Sequence, residues 1–128
     1  MKAYVLDTSA LLALIEDEGG GEDVEALLKQ ALDGQVVIFI SVITCIEVFY
    51  ISQQEQGAEI AVERLRLIED LQVQQEPLDE HLIRTIGDLK ATQSLSFADC
   101  CIAGLAKHKQ AMLVHKDPEF EQIEAFSN

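Results

Sequence analysis

Basic residues are scarce in this chain: nine Lys and Arg stand against 23 Asp and Glu, for a formal net charge of −14. That shortage excludes a general nucleic-acid binder, because neutralising a phosphate backbone takes clustered positive charge. It leaves room for a nuclease, since carboxylates that hold divalent cations present local positive charge on an otherwise acidic surface, and for a basic protein partner. Three cysteines, Cys45, Cys100 and Cys101, show no CxxC spacing, so buried inert thiols are expected in place of a disulfide framework or zinc knuckle. No run approaches about 18 apolar residues, and the opening MKAYVLD lacks a cleavable signal pattern. No membrane span is therefore expected, and the expected location is cytoplasmic. The run Gly19, Gly20, Gly21 is not followed by the Lys-Ser or Lys-Thr of a phosphate-binding loop and reads as a flexible turn with an acidic rim. Internal repeats, low-complexity tracts and linkers are also lacking.

What remains, 128 residues of which 48% are hydrophobic, suffices for one core and predicts a single domain over 1–128. KAYVL at 2–6 and the β-branched run VVIFI at 36–40 read as buried strands. LQVQQ near 71–75 alternates like a third strand, AMLVH reads as a fourth, and IEAF near the C-terminus as an edge strand. Between them, helical periodicity marks LLALI, the segment Glu22 to Leu32 stopped by Gly34, the segment Val42 to about Gln54, and a helix through Ala61, Leu65 and Ile68 beyond Gly57. It continues in a helix through Leu82, Ile86 and Leu89, and in Phe97 to Ala106. Strands alternating with helices predict an α/β fold: right-handed crossovers and a parallel sheet covered on both faces.

Four acids at wide spacing carry the chemistry: Asp7 in YVLDTSALLAL, Glu47 in SVITCIEVFY, Asp99 in SLSFADCCIAGLA and Asp117 in MLVHKDPEF. Each of three has an ordinary helix-capping role. Asp7, Thr8 or Ser9 can cap the first helix, Ser96 and Asp99 fit an S-x-x-D capping box, and Asp117 precedes Pro118 as an N-cap does. Glu47, crowded by Ile46, Val48 and Phe49, needs a partner, for which an Arg or Lys is one candidate. The strands ending at Asp7 and before Asp117 are expected to be neighbours, and strand–helix junctions of a parallel sheet share one edge. Four carboxylates within about 5 Å would repel at about 3 kcal/mol per pair, more than a capping role justifies. Mg2+ or Mn2+, which take oxygen ligands, would reverse that cost and serve phosphodiester hydrolysis. A dehalogenase-like phosphatase is disfavoured because Ser9 stands where its second Asp would be.

VLDTSALLAL, SVITCIEVFY, LSFADCCIAGLAKHKQAMLVHKD and the closing DPEF together resemble the PIN domain, above all the VapC-type ribonuclease toxins of VapBC toxin–antitoxin pairs. The resemblance spans nearly the whole chain. It implies a three-layer α/β/α sandwich around a mainly parallel sheet of four to five strands, and a Mg2+- or Mn2+-dependent endoribonuclease with Asp7, Glu47, Asp99 and Asp117 as catalytic, metal-holding residues. Ser9 would be a polar helper beside Asp7. Further implications are an RNA substrate, a homodimer, and an antitoxin that occludes the site, received by an acidic rim of Glu16, Asp17, Glu18, Glu22 and Asp23. The chain departs from the family at His115, where a small hydroxyl residue usually precedes the last acid by two positions; a packing or solvent-facing role is expected of it. The alternatives are a non-catalytic module that keeps the PIN fold and a PIN nuclease outside any toxin–antitoxin system.

Overall fold

Residues 1–116 are described by the structure, a computed structural model. Asp117 and the expected strand IEAF lie outside the described residues. In order, the elements are β1 (Lys2–Leu6), α1 (Thr8–Ile15), α2 (Gly21–Leu32), β2 (Val36–Ser41), α3 (Val42–Gln56), α4 (Ala58–Asp70) and β3 (Gln74–Glu76). A 3-10 turn (Glu80–Leu82), α5 (Ile83–Thr92), α6 (Phe97–His108) and β4 (Met112–Val114) follow.

The four strands form one parallel sheet in the order β3-β2-β1-β4. Side chains alternate between its faces, as the pleat requires. Ala3 and Val5 of β1, Phe39 of β2 and Leu113 of β4 pack with α5 and α6. Tyr4 and Leu6, then Ile38 and Ile40, then Val114 pack with α1 to α4. Both faces being apolar, β1 and β2 read as continuous hydrophobic runs in place of alternating ones. The chain steps from β1 to β2 to β3 in one direction, with α1 to α4 over one face, then returns past β1 to β4, with α5 and α6 over the other. Right-handed crossovers require this, because reversing the direction of travel moves the connecting helices to the opposite face.

Two details differ from the sequence expectation. The third strand is Gln74–Glu76, not 71–75: the N–H groups of Leu71 and Val73 donate to Ile68 O and Leu71 O in a turn, and both side chains pack in the core beside α4. They are therefore withdrawn from the ladder, leaving a short polar edge that resists strand addition. Leu82 lies in the 3-10 turn ahead of α5, whose Asp79 cap accepts from His81 N. The glycine run is a tight junction: Gly20 takes a left-handed φ of +97°, and a Cβ on Gly21 would fall 2.7 Å from Ala13 O, so only glycine lets α2 start against α1.

α6 is the most enclosed helix, with every residue from Cys100 to Ala106 buried. Ile102 and Leu105 each contribute about 1.5–3 kcal/mol by leaving water. Gly104 allows α5 to approach so closely that a Cβ there would meet Ile86 Cγ1 at 2.6 Å. All three cysteines are free and buried, and burial pushes their thiols up from the ordinary range, which keeps them protonated and unreactive.

Candidate active site

The strand order reverses between β1 and β4, and in open parallel sheets ligands bind outside the carboxyl ends of the strands at that reversal. Asp7 stands there. Its N–H donates to Val114 O of β4 at 3.0 Å, which ties the end of one strand to the end of the other. Its extended backbone makes it the N-cap of α1, and Oδ1 accepts from Ala10 N at 2.8 Å. Ser9 Oγ lies 2.9 Å from both carboxylate oxygens and accepts from Lys116 N at 3.0 Å, which fastens the residues after β4 to the first turn of α1.

Capping alone does not call for burial, yet Asp7 is only 2% exposed. Desolvation raises its pKa from 3.8 to about 6, against the lowering effects of Ala10 N–H, the Ser9 hydroxyl and the His115 imidazole; the charge of Asp99 adds to the rise. The structure thus places Asp99, half-buried in the first turn of α6, within electrostatic reach of Asp7. Ser96 caps that helix, accepting from Asp99 N at 3.1 Å. His115, expected to pack or face solvent, is half-buried and also acts on Asp7 through its charge.

Glu47 reaches the same region from α3, which starts directly after β2. It is half-buried, and its partners are hydroxyls: Thr8 Oγ1 donates to Oε1 at 2.7 Å, and Tyr50 OH approaches Oε2 at 3.4 Å. The ion pairs among the described residues are Lys29–Glu25, Arg64–Glu16 and Lys109–Glu76, so the basic partner considered for Glu47 is replaced by Thr8. Sequence reading assigned Thr8 only a candidate capping role and singled out neither Thr44 nor Tyr50. The available signals were the adjacency of Thr8 to Asp7 and the one-turn spacing of Thr44, Glu47 and Tyr50 on α3.

Asp7 and Asp99 thus interact through their charges, and Glu47 is joined through Thr8 to the turn that Asp7 opens. Among the described residues no group of three His, Cys, Asp or Glu is drawn together closely enough to hold a metal ion by itself, and Asp117 lies outside them. The donors offered at this edge are carboxylate oxygens, one of them buried at an electrostatic cost, which suits a hard cation such as Mg2+ or Mn2+ and not a thiolate-seeking metal. Among the described residues no helix is long and apolar enough to cross a membrane.

Comparison with known proteins agrees with this architecture. The family model for the PIN domain matches residues 4–125. The fold is similar to that of VapBC2 from Rickettsia felis, bound in that structure to a DNA fragment from its promoter: 20% identity, TM-score 0.75, 94% of this chain and 92% of that one covered. VapBC-1 from nontypeable Haemophilus influenzae is similar at 24% identity and TM-score 0.70, with 94% and 92% covered. VapC20 of Mycobacterium tuberculosis, described as a Sarcin-Ricin loop cleaving toxin, is similar at 18% identity and TM-score 0.68, with 93% of each chain covered. Comparison with curated proteins finds no match.

Proposed function

Because this chain belongs to the PIN domain family, we propose that it is a Mg2+- or Mn2+-dependent endoribonuclease, the toxin of a toxin–antitoxin pair, with Asp7, Glu47, Asp99 and Asp117 as its acidic set. The observation that carries this reading is Asp7: a carboxylate almost wholly buried at the sheet's reversal point, its pKa raised by burial and by the charge of Asp99. A helix cap requires neither feature. A divalent cation, when bound, supplies an activated water for attack on the phosphodiester and neutralises charge developing on the leaving oxygen. The chain's own residues hold and orient: Ser9 and Ala10 N–H fix the Asp7 carboxylate, and Ser96 fixes the turn that presents Asp99. Lys116 is tied by its backbone to Ser9, and its side chain runs along Gly20 at the start of α2.

The solved structures with this fold include VapBC complexes, which supports an antitoxin partner whose basic residues would compete with metal for the carboxylates. Of the acidic rim, Glu16 is engaged by Arg64 at 3.9 Å, whereas Asp17, Glu18, Glu22 and Asp23 are exposed and remain the candidate docking charges. A homodimer in the cytoplasm belongs to the same reading.

The purified chain is expected to cleave RNA with Mg2+ or Mn2+, to stop in excess EDTA, and to lose about two orders of magnitude of activity in Asp99→Asn. Co-expression with the adjacent small reading frame is expected to give a complex with that activity suppressed. Full cleavage in EDTA would reject the metal mechanism, and RNA untouched under every metal condition would favour the non-catalytic module.

A further inference from the structure

We infer that Thr8 is a positioning residue for Glu47, acting on the metal site through that carboxylate and not through packing alone. The inference rests on the proposed metal-dependent reading and assigns a function to a side chain that reading does not need. Thr8 is the first residue of α1 and lies 9% exposed beneath the site. Its Oγ1 is 2.7 Å from Glu47 Oε1, across 39 positions of sequence. Thr44, fully buried one turn before Glu47, places its own Oγ1 3.5 Å from that of Thr8. Two hydroxyls are thus stacked under one carboxylate.

The need for such a device follows from the side chains. Glu reaches a site through three rotatable bonds, and ordering such a chain costs rotamer entropy. Asp7, one bond shorter, is held by a backbone N–H and the Ser9 hydroxyl. Glu47 has no backbone donor among its hydrogen bonds in the described residues, and its second hydroxyl contact, from the exposed Tyr50, is long at 3.4 Å. A short bond from a buried donor to an ionised acceptor is the strong kind, so Thr8 is the contact that sets the orientation of Glu47. Adjacent residues then divide the work: Ser9 orients the carboxylate of α1's cap, and Thr8 orients the carboxylate arriving from α3. Because Thr8 follows Asp7 directly, the two acids are held in one frame, and a shift of α1 would move both together.

The test is Mn2+ binding to the full chain by calorimetry, with melting temperature measured without metal. Thr8→Val keeps the shape and removes the donor; it is expected to weaken Mn2+ binding on the order of 10- to 100-fold. Thr8→Ser, which restores the hydroxyl, is expected within about threefold of the parent, and Thr8→Val placed on Glu47→Gln is expected to add less than about twofold. Thr8→Ala, read in the same way, replaces the Val variant should that chain not fold. Unchanged Mn2+ affinity in Thr8→Val beside a weakened Glu47→Gln would overturn this inference alone, as would a Thr8→Val loss undiminished in the Glu47→Gln background, which marks a purely structural role. Unchanged affinity in Glu47→Gln would remove Glu47 from the metal site and this inference with it.

Discussion

Helix α6 passes through two regions that obey opposite rules. Its first turn carries Asp99 to the carboxyl rim of the sheet, where like charges face each other and Asp7 is kept from water. One residue later its buried body begins, where Cys100 to Ala106 pack against the sheet and α5 with a contact so close that glycine is required. The body contributes stability and offers no chemistry. The rim carries the chemistry of the proposed function and detracts from stability, since a carboxylate whose pKa is raised by burial resists ionisation in the folded chain. Stability and function are therefore separable by mutation on either side of a single helical turn.

The largest expected effect is that of Asp7→Asn, which removes the charge at nearly constant volume and keeps a competent cap. RNA cleavage should fall by about two orders of magnitude or more, while the metal-free protein should be no less stable near pH 7. The sign follows from linkage. A folded pKa of about 6 lies above the ordinary value of 3.8, so the protonated form favours folding. That contribution is fully present below about pH 3.8 and is lost as pH rises through about 6, at most about 3 kcal/mol. Denaturant titrations across this window should show the parent losing this contribution with rising pH and Asp7→Asn lacking it. Metal affinity should change the other way, falling as the pH drops through about 6 because a protonated carboxyl is no ligand. A metal-free Asp7→Asn protein markedly less stable at pH 7.5 would erase the distinction between rim and body.

Gly104→Ala probes the body. A methyl 2.6 Å from Ile86 Cγ1 must push α5 and α6 apart, for an expected loss of about 1–3 kcal/mol. The rise in melting temperature on adding Mn2+ should stay as in the parent, because the rim is untouched. An unshifted melting temperature would show the α5–α6 contact to be compliant, and a lost metal response would show the two regions to be coupled. The smallest effect is expected from Tyr50→Phe. Its 3.4 Å contact with Glu47 is long, and the ring is exposed, so RNA cleavage should change by less than about threefold. A drop comparable to that of Asp7→Asn would move Tyr50 into the site.

Much of the rim was legible because its components are local. Asp7 announces itself by ending an apolar run and starting a helix, and Ser96 by standing three residues before Asp99, patterns that a capping argument reads directly. The partner of Glu47 was not legible, because nothing within one helical turn identifies a hydroxyl 39 residues away, and charge arithmetic suggested a cation. The third strand was misplaced for a related reason. Leu71 and Val73 alternate as a strand would, but their N–H groups are taken by the turn after α4.

By itself the sequence determined the alternation of strands and helices, the parallel sheet buried on both faces and the capped starts of α1 and α6, because hydrophobic period, glycine stops and caps act within a few residues. Only the tertiary structure decided that Asp7 loses its water, that His115 and Asp99 act on it with opposite sign, and that Thr8 donates to Glu47. Those outcomes depend on the burial and mutual approach of segments distant in the chain. Such approaches are set by how two helical layers close over a sheet, and local spacing does not encode them.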